Sequence, residues 1–163
     1  MTRLKPVWND RRISLSSKIR LMHSLVTSIF LYACESWTLT AELQRRIQAM
    51  EMRCYGKILH ISNKDHVTDK EVHAKTQQAR PHEDLLTIAN RHKRQWYGHV
   101  SRSSGLAKKE MKGGRRPGRQ RKWWEDIWEW TDLEFGRSQR AVENRQKWRK
   151  LQNHPWCPSD PHG

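Results

Sequence analysis

With 32 Lys and Arg against 17 Asp and Glu in 163 residues, the chain carries a formal net charge of +15, which points to a polyanionic partner. An apolar share of 35% leaves room for one domain, or a small domain plus an arm, with the core expected mainly in the first half. Three cysteines, Cys34, Cys54 and Cys157, form no CxxC pair, which argues against a disulfide framework or a zinc ribbon and fits a reducing, intracellular setting, nuclear or cytoplasmic.

Residues 1–13 are polar and basic, without the apolar run of a signal peptide. From a Ser14 or Ser16 N-cap, apolar residues recur at Leu15, Ile19, Met22, Leu25, Val26, Ile29, Phe30 and Ala33, and this spacing predicts one amphipathic helix. Its most apolar part, Leu21 to Cys34, is too short to cross a bilayer, which takes about 20 residues. Thr40 then caps a second helix with the stripe Leu43, Ile47, Met50, Cys54 and Ile58. The short link between the two predicts an antiparallel helical hairpin. Thr68 with Glu71 is a capping-box pattern opening a third helix, which Pro81 closes off.

A fourth helix is expected over residues 83–97, with Leu85, Leu86, Ile88, Ala89, His92 and Trp96 near one face, Arg91, Lys93 and Arg94 on the rest, and Gly98 as its stop. Glycines at 105, 113, 114 and 118 with Pro117 make the next stretch a flexible connector. Residues 122–130 and 138–151 are expected as two last helices, ahead of a disordered tail. The fold class is therefore all-α, with domains at 1–80 (helical core), 81–151 (basic helix, linker and Trp-rich helices) and 152–163 (tail).

Between Arg91 and Lys122 stand twelve Lys or Arg and one acid, Glu110, a net +11 in 32 residues. Like charge at that density repels itself unless counter-charge is near, and nucleic acid supplies it. Arg94, Arg102, Lys108, Lys109, Arg115, Arg116, Arg119, Arg121 and Lys122 are the expected phosphate contacts. Trp96 and Trp123 are the expected stacking platforms for bases, whereas Trp124 and Trp128, four apart, share a core face.

Catalytic patterns are missing: no Walker loop, GxSxG, HExxH or helix-opening GxGxxG, and the acids are dispersed. Glu83–Asp84 and Glu125–Asp126 suit helix N-termini or salt bridges to the basic stretch. His60, His66 and His73 lack ligand spacing, so no metal or other cofactor is expected; Cys54 and His60 are the pair to watch if they converge.

Several ordered motifs carry a resemblance: Ile29-Phe30-Leu31-Tyr32-Ala33-Cys34-Glu35-Ser36-Trp37-Thr38-Leu39, Met52-Arg53-Cys54-Tyr55, Ile61-Ser62, Asp65-His66-Val67-Thr68, Trp96-Tyr97-Gly98-His99-Val100, Gly114-Arg115-Arg116-Pro117-Gly118-Arg119-Gln120 and Trp124-Glu125-Asp126. Over about residues 3–150 the chain resembles the carboxy-terminal region of non-LTR (LINE-type) retrotransposon endonuclease-reverse transcriptases. The resemblance implies thumb-like helices over 14–60 and a basic region over 91–130, placed after a palm that carries the Asp-Asp catalytic motif. No Asp-Asp pair exists here, so target-primed reverse transcription is implied for the parent polyprotein and not for this piece. Departures from the family, a shortened 106–123 stretch and a Met1 inside a continuing domain, fit a truncated or decaying genomic copy, or a gene model built on one. The expected function is non-catalytic, nonspecific binding of RNA or DNA without membrane association. Its first rival is an inert or protein-interaction fragment that self-associates through exposed helix faces, and its second is a small metal-dependent nuclease.

Overall fold

The computed structural model describes residues 4–62, 65–104, 124–131, 133 and 135–152. The chain is all-α, and no strand occurs among the described residues. Helix α1 (Lys5–Asn9) has Pro6 in its first turn, where a missing N–H costs nothing, and buries Trp8. Helix α2 (Leu15–Met22) starts at Ser14, whose hydroxyl accepts the Ser17 N–H at 3.2 Å.

The single helix expected from Ser14 to Ala33 is instead three segments: α2, a π-helical turn over His23–Thr27, and α3 (Ser28–Phe30). The reason is local competition for carbonyls. The Ser24 hydroxyl donates to Leu21 O (3.1 Å), and the Ser28 hydroxyl to Ser24 O (2.8 Å) and Leu25 O (3.2 Å), within the stretch where the ladder widens. Ile19 and Met22 stay buried, while Leu25, Ile29 and Tyr32 beyond the turn onset are exposed.

Helix α4 (Ala41–Ile58) buries Ile47, Glu51, Cys54, Tyr55 and Ile58. Its inward face is thus rotated from the expected stripe, replacing Leu43 and Met50 by a carboxyl and a phenol. It ends on His60 in the left-handed conformation (φ 58°), with Ile61 N donating to Gly56 O at 2.9 Å, a Schellman closure. Helix α5 (Asp69–Ala79) has the expected capping box: Glu71 N to the Thr68 hydroxyl at 3.3 Å and Thr68 N to Glu71 Oε2 at 3.0 Å.

Helix α6 (Leu85–Arg102) runs through Gly98. The glycine is not a stop but a close approach. A Cβ there would collide with Trp148 Nε1 and lie 2.8 Å from its Cδ1. That indole donates to Arg94 O at 3.2 Å, so its pyrrole edge lies against the α6 backbone at the position lacking a side chain. Helix α7 covers Glu125–Thr131, and the expected 138–151 helix is two, α8 (Phe135–Glu143) and α9 (Arg145–Gln152). Asn144 parts them: its Oδ1 accepts the Lys147 N–H at 3.1 Å, an N-cap that restarts the helix.

Two compact units result. The first takes residues before Ala33 together with Ala41–Leu86; the second takes Ala33–Thr40 and the described residues from Thr87 on. The first packs Trp8, Met22, Cys54, Tyr55, Ile58 and Val72. The second has its own core of Tyr97, Val100, Trp124, Ile127, Ala141, Val142 and Trp148, which corrects the expectation of a core mainly in the first half. Six aromatic or branched side chains supply what a low apolar fraction withholds, since each aromatic ring buries about 150–250 Å².

Candidate nucleic-acid interface

The second unit is built around a buried ion pair. Lys93 and Asp126 are both fully buried, with Nζ donating to Asp126 Oδ2 at 2.6 Å and also to Trp37 O. The same Oδ2 accepts the Leu39 N–H at 2.9 Å. Segment Ala33–Thr40, α6 and α7 therefore meet on one carboxylate. Asp126 does pair with the basic stretch as expected, but Lys93 points inward and does not decorate the surface. Both charges lose hydration there, and only their mutual contact with these backbone groups makes the site tolerable.

Arg94, expected on phosphate, is also taken inward. It is 4% exposed, its Nη1 donates to Leu151 O at 3.2 Å, and burial, then the neighbouring Arg91 charge, lowers its pKa. Its position four residues before Gly98 puts it under α9, where its guanidinium satisfies a carbonyl in that helix's last turn.

Trp96 and Arg102 face solvent. Trp96 is 43% exposed and stacks on His99, three residues on, with ring centroids 5.6 Å apart and 26° between planes. An exposed stacked pair of this kind offers a π face to a base. Arg102 donates from Nη1 to Val142 O at 3.2 Å, and partial burial and then the Arg145 charge lower its pKa. Two guanidiniums held beside each other without an acid attract an anion.

Further cations, absent from the expected set, lie on α8 and α9: Arg137, Arg140, Arg145, Lys147, Arg149 and Lys150 are all exposed. None of the six forms an ion pair with a described residue. Arg137, Arg140 and Lys147 line an open cleft of about 430 Å³ floored by Leu133, Ala141 and Leu151. The signal was present as Arg137/Arg140 at i, i+3 and Arg145/Arg149 at i, i+4. It is hidden when 138–151 is read as one helix, because the break at Asn144 changes which residues share a side.

Lys108, Lys109, Arg115, Arg116, Arg119, Arg121, Lys122 and Trp123 lie outside the described residues. Trp124 is in the core as its spacing implied, and Trp128 is half-buried, donating from Nε1 to the Tyr97 hydroxyl at 3.3 Å.

The first unit holds a different polar cluster. Glu51, 1% exposed, accepts the Tyr55 hydroxyl at 3.0 Å and the Leu85 N–H at 3.2 Å on each oxygen. Since the phenol hydrogen goes to Glu51, His23 Nε2 donates to the Tyr55 oxygen at 3.0 Å. The His82 ring lies 4.7 Å from His23 and 5.2 Å from Tyr55. Burial pushes Glu51 up to about 7 against the opposing hydrogen bonds from Leu85 and Tyr55. Burial, then His82 and Arg80, pulls His23 down to about 4. Between these two values Glu51 is protonated and His23 neutral, so the Glu51–Tyr55–His23 chain carries no charge there. Cys54 is buried in the core of this unit, and His60 Nε2 donates to Trp8 O at 3.1 Å.

No helix among the described residues is long and apolar enough to cross a membrane. No protein-family model, curated protein or solved structure matches the chain.

Proposed function

We propose that the chain is a non-catalytic segment that binds RNA or DNA without sequence preference, from the thumb and basic-tail side of a non-LTR retrotransposon reverse transcriptase (RNA-directed DNA polymerase), acting in the nucleus or cytoplasm. The observation that carries this reading is exposed positive charge on α8 and α9, in a chain with a large basic excess. The +11 between Arg91 and Lys122 is followed by six exposed cations on α8 and α9. Phosphates are the counter-charge such a surface takes, and Trp96 over His99 adds a stacking face. The origin in a retrotransposon rests on the motif resemblance alone.

A salt titration of binding to a labelled single-stranded oligonucleotide tests it. Contact with about six phosphates gives a slope of log affinity against log salt near about −4, or about −5 on duplex. Arg102→Ala and Arg145→Ala each flatten the slope by about 1, and Trp96→Ala weakens binding at a constant slope. A slope near zero for the full chain refutes the reading.

One feature favours a second reading, a protein-interaction fragment. Ile29 and Tyr32 are 78% and 82% exposed, with Leu25 at 42% beside them. Self-association that persists in high salt and is lost in Ile29→Asp would support it.

A further inference from the structure

We propose that Cys34, Glu35 and His92 form a binding site for a divalent metal ion of the zinc class. One donor atom from each of the three side chains lies within 4.8 Å of the other two, and Glu35 Oε1 stands 3.8 Å from His92 Nδ1. Around a tetrahedral ion with bonds of about 2.0–2.3 Å the donors sit about 3.3–3.8 Å apart, so the gap closes with small side-chain rotations.

The backbone that brings them together is strained. Ala33, just before the 3-10 turn Cys34–Ser36, is left-handed at φ 56° without being glycine. That conformation turns consecutive residues Cys34 and Glu35 toward α6, and the Trp37 and Leu39 contacts to Lys93 and Asp126 hold it there. His92 precedes Lys93, so the buried ion pair also sets the position of the imidazole. The thiol is fully buried, whereas the Glu35 and His92 side chains are 33% and 38% exposed, which leaves an approach from solvent and a fourth position for water.

The donor set selects the ion. A thiolate with an imidazole and a carboxylate suits zinc and disfavours magnesium and calcium, which take oxygen ligands. Burial and then the Glu35 charge push the free thiol up to about 11, partly offset by Lys93. Uncomplexed Cys34 is therefore protonated, and coordination releases that proton to solvent as the sulfur–metal bond forms.

The test is titration of the metal-free, reduced full chain with Co²⁺, followed by the thiolate-to-cobalt charge-transfer band, and then displacement by Zn²⁺. The expected result is saturation at one equivalent, with the band lost in Cys34→Ser and retained in Cys54→Ser and Cys157→Ser. Absence of the band overturns the proposal, as does a band that survives Cys34→Ser or depends on either other cysteine. If Cys34→Ser does not fold by circular dichroism, Glu35→Gln and His92→Ala decide the matter from partly exposed positions. Each is expected to weaken Co²⁺ at least about tenfold, and unchanged affinity in both overturns the site.

Discussion

Among the described residues each unit buries one carboxylate, and they solve the same problem in opposite ways. Asp126 keeps a cation, Lys93, at 2.6 Å and joins it to two backbone groups. Glu51 has no cation in ion-pair reach among the described residues and relies on a phenol and a helix N-terminal N–H. With a cation beside it a buried acid can remain ionised; without one, burial makes the protonated form the better one. The second unit therefore depends on a charge pair, and the first on a proton.

The largest effect should come from breaking the charge pair. Lys93→Met leaves Asp126 buried without its cation and should cost about 3–5 kcal/mol, read as a lower urea midpoint with faster amide exchange in α7 to α9. Adding Asp126→Asn should recover part of the loss. If Lys93→Met is neutral, the contrast between the units fails.

The proton-dependent unit is probed by pH. The Glu51 pKa is raised to about 7, so its contribution is full below the unfolded value near 4.5 and is lost as pH rises through 7, on the order of 3 kcal/mol. The His23 pKa is depressed to about 4, so its contribution is full above the unfolded value of 6.5 and is lost as pH falls through 4. The two slopes oppose each other across pH 4.5 to 6.5, and the intact chain should show a nearly level stability there. Glu51→Gln should expose a loss on acidification, and His23→Gln a loss on alkalinisation, both by thermal melts across this range. Equal profiles for the two variants would refute the coupling.

A smaller effect is expected at Gly98. In an open helix Gly→Ala gains up to about 1 kcal/mol, but against Trp148 the methyl has no room, and Gly98→Ala should cost about 1–3 kcal/mol. Trp148→Leu in the same chain should make the alanine harmless. A stabilised Gly98→Ala would mean the indole does not lie on α6.

How far each feature was legible follows from the range of the interaction behind it. The capping box at Thr68 and the Trp124 core position were readable because their partners sit three or four residues away. Gly98 misled because a glycine that ends a helix and one that admits an indole 50 residues later look identical locally. Lys93 and Arg94 misled because charge predicts exposure until a specific partner is known, and theirs are Asp126 and Leu151. The Cys34, Glu35 and His92 group spans 57 positions between its ends and has no ligand spacing to detect.

By itself the sequence determined the helical class, most helix starts and the large positive charge, since periodicity, caps and composition are properties of neighbouring residues. Tertiary structure alone decided which charges are spent inside, which acid burial pushes toward its protonated form and which cations stay exposed. Desolvation and pairing depend on atoms brought together from distant parts of the chain.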